Sequence, residues 1–198
     1  MSCRKTNKAD ENLAWEEINT EHIVQDRWID FRKSAYRYPD GRVFEPYYSY
    51  SRRDYAVIVA SDMEGNYICV RQFRQGIKDV TTEFPAGGVE RDDGREYGTT
   101  KASEDTLEAA KRELMEETGY ISDEWEHLLT IPSNATIADN YATVFRAKNC
   151  RLAGEQNLDE TEVLQIYKYT ADEIETMIQE GNFQQAVHVM AWLLAKGR

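Results

Sequence analysis

Cysteine, proline and histidine are scarce in this chain, and each scarcity closes off a class of protein. Three cysteines occur among 198 residues, Cys3, Cys69 and Cys150, with no CxxC pair. An odd, scattered set supports neither a disulfide framework nor a zinc site, and reads as reduced thiols in a cytoplasmic protein. No stretch nears the ~20 apolar residues of a membrane span. The polar opening, MSCRKTNKADENLAWEE, lacks the apolar core of a signal peptide. Positive charge is short as well: 24 basic against 36 acidic side chains give a net charge of −12. Such a field repels polyanions and argues against nucleic acid as a partner. It leaves room for a small phosphorylated ligand if a cation and a local basic patch offset it. His22, His127 and His188 fall in no motif and are assigned no chemistry.

At 41% hydrophobic and 30% charged, the composition suits a soluble globular protein of one α+β domain. Residues 1–12 read as a flexible tail. Residues 13–54 alternate apolar and polar side chains around a turn at Pro39-Asp40-Gly41 and form a strand-rich extension. The main domain takes residues 55–198. Within it, Tyr55-Ala56-Val57-Ile58-Val59-Ala60 is a continuous apolar run, as expected of a buried strand, and residues 67–74 return after a turn at 62–66. Glu83-Phe84-Pro85-Ala86-Gly87-Gly88 forces a tight bend, and residues 90–103 read as an exposed loop. Strands are expected at 141–147 and 162–169, and helices at 171–179 and 183–196, the latter with Phe183, Val187, Met190, Trp192 and Leu194 near one apolar stripe.

The clearest helix covers about residues 104–118, with Ser103 as N-cap and Gly119 just past its end. At 3.6 residues per turn, Glu113, Glu116 and Glu117 fall within a third of the circumference, while Leu107, Ala110 and Leu114 share another face and can pack on a sheet. Like charges at this spacing cost a helix roughly 0.2–0.5 kcal/mol per pair, and anions near its C-terminal end oppose the macrodipole. A divalent cation removes both objections. Hard oxygen ligands with no His or Cys among them suit Mg2+, or Mn2+.

Arg112-Glu113-Leu114-Met115-Glu116-Glu117-Thr118-Gly119-Tyr120, preceded by Glu104 and seven intervening residues, resembles the Nudix box: Gly, five residues, Glu, seven residues, Arg-Glu-apolar-any-Glu-Glu-any-Gly-apolar. The resemblance implies an α/β/α sandwich around a mixed sheet, here with an N-terminal β-strand extension. It implies Mg2+ held by Glu113, Glu116 and Glu117, an extra ligand from the Ala86 carbonyl, and Arg112 orienting the carboxylates, with Glu104 in support. The match departs on the glycine side. Sixteen residues, 88–103, separate Gly87 from Glu104 instead of five, so the loop reads as carrying an insertion and the literal match of Gly98 as accidental.

Outside the box, Val70-Arg71-Gln72-Phe73-Arg74 followed by Glu83-Phe84-Pro85-Ala86-Gly87 is similar to the branch that cleaves ADP-ribose and nucleotide sugars. Arg71 and Arg74 are read as sharing one face of a strand and contacting substrate, with Glu83 a further contact. An acidic loop, Leu158-Asp159-Glu160-Thr161-Glu162, resembles the one that supplies a general base in that branch; Glu160 and Glu162 are the candidates and Asp159 a lesser one. Trp28, Tyr47 and Tyr48 are read first as core or dimer contacts and second as base-stacking side chains. The branch commonly dimerises through N-terminal strands, so a homodimer is expected. Ile131-Pro132-Ser133-Asn134-Ala135 departs from the Ser-Pro-Gly segment of ADP-ribose cleavers and leaves the sugar open. The expectation is therefore an Mg2+-dependent hydrolase of a nucleoside diphosphate derivative, giving a nucleoside monophosphate and a sugar phosphate. The alternatives are a housecleaning hydrolase of nucleoside triphosphates and a non-catalytic, nucleotide-sugar-sensing domain.

Overall fold

The continuous apolar run at residue 55 becomes the strand around which everything else is arranged. The computed structural model describes residues 13–91 and 105–197. In it β4 (Tyr55–Asp62) is buried along nearly its whole length, as expected of a strand covered on both faces. Its side chains alternate. Val57 and Val59 point into one apolar cluster with Cys69, Phe84, Ile174 and Trp192. Ala56, Ile58 and Ala60 point into another with Ile68, Ala110, Leu114 and Phe145. Two cores on two faces of one sheet make the expected α/β/α sandwich.

The large sheet has eight strands. Its main order is β11 (Leu164–Tyr169), β5 (Tyr67–Arg74), β4, β10 (Tyr141–Leu152), β8 (Tyr120–Ile121). Off this path β6 (Asp79–Glu83) pairs with β5, β7 (Ala86–Gly88) with β4, and β9 (Glu124–Pro132) with β10. β4 and β10 run parallel, Tyr55 opposite Ala142; the other pairings are antiparallel. The β4–β5 turn is held by Asp62, whose Oδ1 accepts the Glu64 and Asn66 amides at 3.0 and 2.9 Å, and by Gly65 at φ 86°.

Helix α1 (Thr106–Thr118) covers one face; α2 (Ala171–Gln179) and α3 (Ala186–Lys196) cover the other. Asp105, not Ser103, caps α1, accepting the Leu107 amide at 2.9 Å. Ser103, Glu104 and the expected insertion up to that point, residues 92–104, lie outside the described residues. Gly119 ends α1 at φ 72° and donates to the Met115 carbonyl at 2.7 Å. There a Cβ would meet the Gly154 carbonyl, so both the left-handed backbone and the close approach call for glycine. α3 begins at Ala186 instead of residue 183; Phe183 precedes it, buried against Phe84. β11 begins at Leu164, which leaves Glu162 in the preceding turn. β9, which the sequence reading leaves unassigned, buries only Leu128 and is bound along one edge to β10, so it carries little apolar alternation. No helix among the described residues is long and apolar enough to cross a membrane.

Residues before β4 form a separate antiparallel sheet of β1 (Glu16–Gln25), β2 (Asp30–Arg37) and β3 (Val43–Ser51). Trp15 packs edge-on against Tyr36, Tyr38, Phe44 and Tyr47 on it, and Phe31 stacks on Tyr48. The small sheet meets the connection between β9 and β10 through the Tyr50 amide on the Ile137 carbonyl at 2.8 Å, Tyr47 Oη on the Thr136 carbonyl, and Ser51 Oγ on Asp139.

Candidate active site

The acidic face of α1 turns toward the bend 84–88, and backbone spacing makes the two fit. A Cβ at Gly87 would overlap the Glu113 carboxylate, so any larger residue there would push that carboxylate aside. The Ala86 amide donates to Glu117 Oε2 at 3.0 Å. Arg112 closes the arrangement from the other side. Its Nη1 donates to Glu113 Oε1 at 2.9 Å and Glu116 Oε2 at 2.8 Å, and its Nη2 to the Gly88 carbonyl at 2.9 Å. The expected orienting role of Arg112 thus has a geometry: one guanidinium joins two carboxylates of the helix to the bend.

Glu113 and Glu117 are both buried. Burial pushes the Glu113 carboxyl up to about 7, with Arg112 working against the rise and the Glu162 and Glu116 charges adding to it. Glu117 is pushed well above the ordinary carboxylate range by burial first, then by the Glu113 and Glu162 charges. Glu162 is therefore the loop glutamate whose charge reaches the helix. It is half-buried and accepts the Asp159 amide at 3.2 Å, whereas Glu160 and Asp159 are exposed.

Among the described residues no three His, Cys, Asp or Glu side chains stand together as a preformed cation cage. The donor set nonetheless suits a hard divalent ion. Two buried carboxylates, each with its charged form disfavoured, stand beside a third, partly exposed one, Glu116, with no nitrogen or sulfur ligand among them.

Beside the bend opens a cleft of about 510 Å³. Arg52, Arg53 and Arg74 line it, with Trp28, Tyr50, Tyr55, Asn140, Gln185, His188 and the backbone at 86–88; among the described residues no carboxylate lines it. In a chain with net charge −12, that is a local basic pocket set against an acidic helix.

The structure separates the two arginines expected to share a face. Three positions apart on a strand, they point to opposite sides. Arg74 lines the cleft, while Arg71 is exposed, lies over the Tyr167 ring at 5.6 Å, and belongs to a separate depression with Thr82 and Tyr169. Glu83 is corrected too. It is completely buried, lines no part of the cleft, and accepts from Arg74 Nε at 2.8 Å, from Thr81 Oγ1, and from Gln185 Nε2 at 3.4 Å. Burial pushes its carboxyl up, but Arg74, His188 and Thr81 outweigh that and hold it below the ordinary range. Glu83 holds Arg74 from behind the cleft wall. Of the aromatic candidates, Trp28 is half-exposed on the cleft, whereas Tyr47 and Tyr48 pack within the small sheet. Arg52, Arg53 and His188 are cleft residues the sequence reading passed over. The adjacent arginines directly before the buried strand were the available signal for the first two; His188 had none.

This combination, an acidic helix locked against a glycine bend beside an arginine-lined cleft, defines a hydrolase of phosphoric anhydrides. The Nudix domain family model matches residues 51–193, and the chain belongs to the Nudix family as a pyrophosphohydrolase. Nudix hydrolases in general use divalent metals. The chain is 28% identical over 178 residues to the methanol dehydrogenase activator of Bacillus methanolicus, covering 88% of each chain. It is 27% identical over 163 residues to the ADP-ribose pyrophosphatase of Bacillus subtilis strain 168, covering 82% of each. A crystal structure of an ADP compounds hydrolase superposes with a TM-score of 0.78 at 19% identity, covering 93% of this chain and 94% of that one; at that identity the likeness is one of fold.

Proposed function

We propose that the protein hydrolyses the pyrophosphate bond of a nucleoside diphosphate sugar, ADP-ribose foremost, to a nucleoside monophosphate and a sugar phosphate with the help of Mg2+. The observation that carries this reading is the juxtaposition of a cleft lined by Arg52, Arg53 and Arg74 with buried Glu113 and Glu117 across the Ala86-Gly87-Gly88 backbone. The arginines take the charge of the diphosphate, and Trp28 offers its exposed ring to a base. Glu113, Glu116 and Glu117, with the Ala86 carbonyl, would hold Mg2+, for which Mn2+ can substitute; when bound, the metal neutralises the diphosphate and acidifies water. Glu162 takes the proton of the attacking water as its oxygen bonds to phosphorus and the bridging P–O bond breaks, the leaving phosphate carrying off the bond's electron pair. Likeness to a relative named an ADP-ribose pyrophosphatase supports the choice of substrate.

The small sheet supplies the dimer contact in this reading: β1 is exposed along nearly its whole length, and Trp15, Ile18, Val43 and Phe44 are all exposed. Buried, unbridged Cys69 and Cys150 suit a cytoplasmic setting. The likeness to a methanol dehydrogenase activator favours a second reading, in which the cleft binds a nucleotide derivative in the service of another enzyme; the intact glutamates of α1 weigh against it. Release of nucleoside monophosphate from ADP-ribose, ADP-glucose, GDP-mannose, NADH, diadenosine polyphosphates and nucleoside triphosphates, with Mg2+ and with EDTA, tests both readings. Metal-dependent cleavage of a diphosphate-linked compound is expected. Binding without turnover of any of them transfers the case to the second reading.

A further inference from the structure

His188 sits in the cleft wall with one ring nitrogen committed and the other idle. Its ring is 4% exposed and stacks parallel to Phe84 at 6.4 Å between centroids. Nδ1 accepts the Phe84 amide at 3.1 Å, which requires a lone pair on that nitrogen. A neutral imidazole then carries its proton on Nε2. Burial, offset in part by the Glu83 charge and reinforced by Arg74, lowers the ring to about 4, so it is neutral at physiological pH. The Glu83 carboxylate oxygen facing Nε2 is 4.0 Å away, beyond hydrogen-bond reach, and is already taken by Arg74. The Nε2–H is thus a donor with no acceptor among the described residues, on the wall of the cleft beside Arg74 and Gln185. A donor on a cleft wall without a protein acceptor is met by water or by a ligand oxygen that displaces it.

We propose that His188 is a ligand-binding residue that fixes the bend 84–88 through Nδ1 and donates from Nε2 to an uncharged oxygen, a hydroxyl or carbonyl, of the nucleoside diphosphate derivative in the cleft. The inference deepens the proposed function and rests on it. Three arginines already answer the phosphate charge, so a neutral donor is matched to a neutral acceptor. It discriminates by penalising ligands that leave it unmet. One side chain would then couple the position of the bend that carries Gly87 to the occupancy of the cleft.

His188→Asn tests it, because an amide oxygen can replace the Nδ1 acceptor while the Nε2 donor is lost; His188→Phe removes both. With Mg2+ and the best substrate of the wild type, His188→Asn is expected to raise KM about tenfold with kcat within about twofold, in a protein that is still folded at the assay temperature. His188→Phe should lower kcat as well, since the Phe84 amide is freed. In the wild type, nitrogen-15 NMR should show the Nε2-protonated tautomer, and saturating ADP-ribose in Ca2+ should shift that proton. An unmoved KM in folded His188→Asn overturns the proposal, as does an Nε2 proton that ignores bound ligand. If His188→Asn fails to fold, the wild-type NMR decides. No turnover or binding by the wild type across the substrate panel brings down the proposed function and this inference with it; wild-type turnover with an unaffected His188→Asn brings down this inference alone.

Discussion

Glu83 and Glu117 stand on either side of one short bend, both buried, and their surroundings treat them in opposite ways. Glu83 meets Arg74, Thr81 and Gln185 and is held below the ordinary carboxylate range. Glu117 receives a single amide from Ala86, faces Glu113 and Glu162, and is pushed far above it. The protein can satisfy a buried carboxylate when it needs one as scaffold. Leaving Glu117 beside two other acids fits the proposed site, where a cation would supply the missing compensation.

The sharpest way to break the contrast is to neutralise each acid in turn. Glu117→Gln is expected to cut kcat by about a thousandfold, with the urea midpoint unmoved or higher because a repulsion is relieved; Mg2+-dependent turnover beside urea denaturation measures both. Glu162→Gln should lower kcat about a hundredfold while Glu160→Gln changes it less than twofold. Equal losses from the two would show that the loop rearranges on binding. Gly87→Ala places a methyl where the Glu113 carboxylate sits, so at least a tenfold fall in kcat is expected in steady-state kinetics. Glu83→Gln does the reverse of Glu117→Gln: it removes the charge opposite Arg74 and should cost about 2 kcal/mol of stability in urea.

The finest test is pH. In EDTA, Glu113 binds protons more tightly folded than unfolded. Its contribution to stability is full below the ordinary value of 4.5 and is lost as pH rises through about 7. His188 has the opposite sign: folded, it releases its proton until about 4, so its contribution is full above the ordinary 6.5 and is lost as pH falls from there toward 4. Thermal melts across this range should show Glu113→Gln flattening the loss on the alkaline side only, and added Mg2+ doing the same to the wild type.

The acidic half of the site was legible because it is local. Arg112, Glu113, Glu116 and Glu117 lie within two turns of one helix, and helical spacing alone puts them on one face. The buried strand β4 was legible for a similar reason, as an unbroken apolar run. The basic half is assembled from residues distant in sequence: Arg53 ahead of β4, Arg74 at the end of β5, and His188 on α3. No periodicity links them, so they had to await the pairing of β4 with β5 and the seating of α3. Reading Arg71 and Arg74 onto one face was an error of period: side chains alternate every two residues on a strand, and three positions reverse the face. Glu83 looked like a contact because it is charged beside the bend; only its three partners reveal it as support.

That late assembly has a consequence for how the protein comes into being. β4 waits for its parallel neighbour β10, with Tyr55 opposite Ala142, and the bend at Phe84 waits for the imidazole of His188. During synthesis the acidic helix is complete well before residue 186 exists, yet Trp192 is what shields Tyr67 and Phe84 on the far face of the sheet. A ribosome stalled in that interval would display a half-clothed sheet to chaperones and proteases. The cleft wall is completed last, because His188, which accepts the Phe84 amide, arrives on α3.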